Sequence, residues 1–144
     1  MKAFLNRRRL SLIVAAGGGV GAAVRFSFDS LWVGNGGIVV LLVNVLGSFA
    51  LGLLVTAVFT RPGQPNWIAP ALGPGFLGGF TTMSGFALWV NESSMNTTPV
   101  LSALYFLLSL ILGLAAAWAG LEIGRRISRQ PLPKPSDPGW EDEA

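Results

Sequence analysis

Four long apolar blocks dominate the chain, roughly Leu10–Phe28, Gly36–Phe59, Trp67–Val90 and Val100–Ile123. Each runs for about 19 to 24 residues, enough for a helix to cross a hydrocarbon core of about 30 Å. Runs such as Val39-Val40-Leu41-Leu42-Val43 do not alternate with polar residues as a membrane β-strand would. The pattern predicts an all-α integral membrane protein with four transmembrane helices. Trp32, Trp67, Trp89 and Trp118 fall at or near block ends, where interfacial aromatics belong. Residues 1–9 read as a basic N-terminus, 10–124 as the four-helix membrane domain and 125–144 as a tail. The run Pro131-Leu132-Pro133-Lys134-Pro135-Ser136-Asp137-Pro138-Gly139 cannot hold a helix and then turns acidic, so the tail reads as disordered.

Composition sharpens this reading. Only 12% of the 144 residues are charged, against about 25% in soluble domains. Mean hydropathy is +0.58. The first block follows Lys2 and Arg7-Arg8-Arg9 as a secretory signal would, but it is glycine-rich and runs into Arg25-Phe26 without a small-residue cleavage site. It reads as a retained helix. The pI near 10.2 does not point to nucleic acid, because the basic residues cluster just outside the apolar blocks instead of forming a stripe. With four spans, both termini and the Arg61 loop share one side. That side holds Lys2, Arg7, Arg8, Arg9, Arg61, Arg125, Arg126, Arg129 and Lys134, nine of the ten basic residues; only Arg25 lies toward the other. The positive-inside rule places both termini in the cytoplasm.

Catalysis finds little to work with. There is no Cys and no His, so thiolate chemistry and the usual neutral-pH base are both missing. Of the seven acidic residues, Asp29, Glu92 and Glu122 avoid the depths of the blocks, and Asp137, Glu141, Asp142 and Glu143 sit in the tail. Paired-carboxylate chemistry has no place, and the chain reads as a non-enzyme.

Three stretches hold the candidate chemistry. The first helix carries Gly17-Gly18-Gly19-Val20-Gly21-Ala22-Ala23-Val24-Arg25-Phe26, without the strand or Gly-Lys-Ser/Thr continuation of a nucleotide loop. Gly17 and Gly21 suit close helix packing. Arg25 suits either snorkelling to headgroups or a pore mouth. In the second helix, the Asn44 amide must find partners within an apolar block, either as helix-to-helix glue or as a neutral donor for an anion. The third block, Gly73-Pro74-Gly75-Phe76-Leu77-Gly78-Gly79-Phe80-Thr81-Thr82-Met83-Ser84-Gly85-Phe86, opposes a continuous helix through its glycines, proline and hydroxyls. A break at membrane depth is tolerated where it lines a cavity or is buried in protein, so the third helix is predicted to be broken.

Together these stretches resemble the CrcB/Fluc fluoride channel family. Gly17, Gly18, Gly21, Ala22, Arg25 and Phe26 fit its Gly-Gly-x-x-Gly-Ala-x-x-Arg-aromatic pattern. Asn44, Gly47, Ser48 and Phe49 fit Asn-x-x-Gly-Ser-Phe, and Gly78 to Phe86 resembles Gly-Gly-x-Thr-Thr-Phe-Ser-Thr-Phe. The resemblance covers the chain from about Leu10 to Ile123. It implies an antiparallel dual-pore dimer, with a structural sodium ion at its centre held by backbone carbonyls at Gly78 and Thr81. It further implies a fluoride path using Asn44, Ser84, Phe86, Tyr105 and Ser109, with Gly113 at a further position of the polar track and Arg25 at the pore mouth. Fluoride is small and strongly hydrated, so amides, hydroxyls and positive ring edges must replace its water.

The chain also departs from that pattern. Met83 stands where the first pore Phe is expected, Gly85 where a track Thr belongs, and Val39-Val40 where Gly-Thr is common. A thioether is only a weak acceptor, so one anion contact is lost. An antiparallel homodimer needs a chain that inserts both ways, which the nine-to-one charge bias disfavours. The expectation is therefore half of a heterodimer with an oppositely oriented paralogue. Two rival readings are a small dual-topology drug exporter, which would want a carboxylate deep in the first helix, and a non-conducting scaffold subunit.

Overall fold

The structure is a computed structural model that describes residues 7–32, 36–96 and 98–128. Residues 129–144 of the predicted tail and the first six residues, with Lys2, Arg129 and Lys134 of the charge bias, lie outside the described residues, whereas Arg125 to Ser128, expected to open the tail, continue α6. Every element among the described residues is helical. Three helices are long and apolar enough to cross a membrane: α1 (Arg7–Leu31), α2 (Gly36–Ala57) and α6 (Pro99–Ser128). All three overrun or fall short of the apolar blocks by a few residues. The α1 helix takes in the Arg7–Arg9 run, α2 stops two residues early, and α6 continues to Ser128. Pro99 opens α6, where a missing N–H costs nothing, while the Thr98 carbonyl accepts from Leu101 N–H at 3.0 Å.

The third apolar block folds in pieces: α3 (Ile68–Pro70), a π-helical run (Ala71–Leu77), α4 (Gly78–Phe80) and, after Thr81-Thr82, α5 (Met83–Asn96). Proline explains the widened turn. Pro74 has no N–H to donate four residues back, and the chain shifts to bonds reaching the fifth residue, as from Gly78 N–H to Gly73 O. At Thr81 the backbone leaves the helix altogether, with φ −75° and ψ 155°.

Two packing partnerships organise the bundle. The α2 and α6 helices lie together along much of their length, and the π-run and α4 lie on α1. Both contacts are glycine-to-backbone. A Cβ at Gly52 would strike the Ala117 carbonyl, and one at Gly120 the Phe49 carbonyl. On the other side, Gly21 faces the Phe76 carbonyl and Gly79 the Gly18 carbonyl equally closely. Such approach gains dispersion contact between helices that lipid would otherwise separate. The small apolar core is Val39, Val43 and Phe80, with Phe28 edge-on to Phe80 at 6.0 Å. Large apolar residues on α6 such as Ile111, Leu114 and Trp118 are exposed. Water would penalise that surface, whereas hydrocarbon or a protein partner would not.

Candidate functional site

The site grows out of the interruption at Thr81-Thr82. A helix that stops releases carbonyls from their donors four residues on, and starting a new one leaves N–H groups without acceptors. Thr82 N–H, which would have served Gly78 O, donates instead to Asn44 Oδ1 at 2.8 Å. Asn44 Nδ2 returns a bond to Thr82 O at 3.0 Å. One side chain from α2 thus grips two backbone groups of one residue, as a strand neighbour would. Gly85 N–H, the ordinary donor to Thr81 O, goes to Thr82 Oγ1 at 3.0 Å, so Thr82 is the N-cap of α5. Thr81 O is left to Arg25, whose Nη1 lies 3.4 Å away, and Thr81 Oγ1 turns back to Leu77 O at 2.9 Å. Gly47 makes room for this arrangement, because a side chain there would collide with Thr81 Cγ2.

The interruption opens onto a groove of about 830 Å³. Its wall includes Asn44, Gly47, Ser48, Leu77, Gly78, Thr81, Thr82 and Met83, and it is mainly apolar. Met83 is 73% exposed, so most of its surface is free of the rest of the chain. Ser84, one residue further, is also exposed and lies 3.2 Å from Thr82 Oγ1.

A second set of groups runs along α6. Phe86 is buried against Tyr105 and Phe106, with ring centroids at 5.9 and 5.6 Å. Tyr105 Oη donates to Gly37 O at 2.8 Å, and Ser109 Oγ to Tyr105 O at 2.7 Å. The next track position, Gly113, has no side chain. Ser48 Oγ of α2 stands 3.8 Å from where its Cβ would be, so a hydroxyl faces that place from the opposite helix.

Known proteins settle the family. The profile described as CrcB-like protein, Camphor Resistance (CrcB), matches residues 12–121. This chain belongs to the CrcB-like family. It is 40% identical to "Fluoride-specific ion channel FluC 1" of Rhodococcus jostii over 79% of this chain and 84% of that protein. It is 38% identical to "Fluoride-specific ion channel FluC" of Agrobacterium fabrum, covering 80% and 95%. With the protein so named in Paracoccus denitrificans, identity is 41% over 79% and 93%.

In this CrcB-like chain the structure brings Arg25, Asn44, Gly78 and Thr81 together at the interruption, and Phe86, Tyr105 and Ser109 along the α5–α6 contact. Met83 lines the open side of the same groove, and Ser84 is exposed beside Thr82. The Arg25 guanidinium turns to the Thr81 carbonyl. Sequence reasoning missed Thr82 as the cap, although a Thr three residues before an N–H at a helix start is the usual signal. It also missed Ser48 opposite Gly113; the pattern on one helix carries no trace of what a second helix offers.

Proposed function

We propose that this chain is a subunit of a passive, fluoride-selective ion channel that lets cytoplasmic fluoride leave down its electrochemical gradient. The observation that carries the reading is the interrupted helix, where neutral amide and hydroxyl groups of Asn44, Thr81, Thr82 and Ser84 gather, with no buried carboxylate among the described residues. The relatives' names agree with it. Neutral donors can replace the water of a small anion without holding it as tightly as a fixed charge would. An inside-negative potential pushes a monovalent anion outward at about 2.3 kcal/mol per 100 mV, so no energy-coupling site is required.

In this reading α3, the π-run, α4 and α5 together make a fourth crossing, broken at Thr81-Thr82 near mid-depth. Tolerance of such a break by protein burial supports that placement. The apolar groove beside it is the seat of a second, antiparallel subunit, and both termini face the cytoplasm of a prokaryotic plasma membrane. Gly78 O and Thr81 O, deprived of their helical donors, border the groove and fit a structural sodium ion shared with the partner. A carbonyl oxygen has two lone pairs, so the contact from Arg25 leaves one on Thr81 O for it. The nine-to-one charge bias favours a paralogue of opposite orientation over a second copy of this chain. Met83, in place of a ring edge, then weakens one of the two pores.

The test is fluoride efflux from liposomes containing the purified chain, with chloride as control. Selective flux establishes a channel sufficient by itself. No flux alone, followed by flux when the paralogue is added, establishes the heterodimer. No flux in either case refutes the channel reading.

A further inference from the structure

Seven hydroxyls on or at the ends of the described helices, those of Ser11, Ser27, Ser30, Thr56, Thr60, Thr81 and Ser109, donate to the carbonyl four residues back. This is the ordinary resort of a helical hydroxyl with no water to meet. Ser48, in the middle of α2, makes no such bond and has no hydrogen-bond partner among the described residues. It is half-buried and lines the groove of about 830 Å³ beside the interruption. Its O–H is therefore free to donate into open space.

The packing of α2 on α6 shows what that hydroxyl faces. The two helices run in the same direction. Toward one end Tyr105 Oη donates to Gly37 O at 2.8 Å, and toward the other Gly52 lies so close to the Ala117 carbonyl that a Cβ would strike it. Between these contacts Ser48 faces Gly113, its Oγ 3.8 Å from where a Cβ of Gly113 would stand. The other α6 hydroxyls nearby are spent, Ser109 on Tyr105 O and Tyr105 on Gly37 O. Asn44, one turn before Ser48 on α2, lines the same groove and uses one of its two amide hydrogens on Thr82 O. No acidic residue lines the groove, so a ligand meeting these donors is an acceptor.

We propose that Ser48 Oγ–H is a fluoride-coordinating position on the groove wall, supplying from α2 the hydroxyl that α6 lacks at Gly113, one turn beyond Ser109. The proposal rests on the channel reading and deepens it. A neutral O–H on a largely apolar wall replaces one water of the anion without trapping it. The bare Gly113 leaves the room in which that hydroxyl is solvated.

The experiment measures fluoride efflux from liposomes holding the full chain, with its paralogue included if flux requires it. Wild type is compared with Ser48→Ala, Ser48→Thr and the double variant Ser48→Ala with Gly113→Ser, at equal amounts of folded protein. Ser48→Ala is expected to slow efflux about tenfold, as loss of one donor to a charged ligand does. Its thermal unfolding in detergent should match wild type, because Ser48 holds no hydrogen bond among the described residues. Ser48→Thr keeps the hydroxyl and should keep most of the rate. Gly113→Ser should reverse most of the loss in Ser48→Ala, since its added Cβ meets only ordinary contact and returns a hydroxyl from the opposite helix. Full-speed efflux in Ser48→Ala would overturn the proposal and leave the channel standing. A loss that neither Ser48→Thr nor Gly113→Ser reverses would give Ser48 a packing role and overturn it as well. Wild type that moves no fluoride under any condition refutes the channel reading and this position with it.

Discussion

The α2–α6 pair and the α1 contact with the broken element solve the same packing problem with opposite consequences. Both bring backbones together through glycine, at Gly52 and Gly120 in the first and at Gly21 and Gly79 in the second. In α2–α6 the helices are unbroken and their carbonyls are used internally. Even the extra hydroxyls close the contact, with Thr56 Oγ1 3.2 Å from Leu121 O and Ser128 Oγ 2.6 Å from Thr56 O. In the broken element the ladder stops at Thr81, and side chains from α1 and α2 take over the orphaned groups. The first region is a strut. The second leaves polar backbone groups off the helical ladder, held by Asn44, Arg25 and the Thr82 cap.

The comparison breaks most violently at its shared device. Gly21→Val places a side chain against the Phe76 carbonyl, which belongs to backbone and cannot swing aside. A loss of at least about 3 kcal/mol is expected, seen as poor recovery or early thermal unfolding in detergent. Asn44→Ala should cost about 2 kcal/mol or more by leaving Thr82 N–H and C=O unmatched, with faster hydrogen exchange confined to the α4–α5 junction. Thr82→Ala removes the cap of α5 at about 1 kcal/mol, and Thr82→Ser should restore most of it. Met83→Phe should change stability by less than about 0.5 kcal/mol, because Met83 is 73% exposed, and should raise fluoride flux by supplying a ring edge. Arg126→Ala breaks only an exposed pair with Glu122 at 3.1 Å and should shift stability by less than about 0.5 kcal/mol.

Much of this division is written in the chain. Block lengths set the long helices to within a few residues, and the Gly-Pro-Gly and Thr-Thr stretches announced that the third block would not run straight. The glycines read as packing residues pack. What stayed hidden depends on orientation about the helix axis. In a soluble protein the polar face reveals the buried one, but in lipid both faces are apolar, so the burial of Phe86 and the exposure of Met83 leave no periodic signature. Asn44 shows a related limit. An amide in an apolar block announces that partners exist, and only the fold reveals that they are both backbone groups of Thr82, thirty-eight residues away. The widened π-turn follows from Pro74 only once the chain is known to stay helical through it.

The central claim is that conduction depends on the clasped interruption and not on the glycine seam of Gly52 and Gly120. Fluoride efflux from liposomes, measured side by side for wild type and Asn44→Ala at equal amounts of folded protein, tests it most directly. The account predicts that the folded variant loses at least about tenfold in flux while α2–α6 hydrogen exchange stays unchanged. Efflux at the wild-type rate with the clasp removed would contradict it.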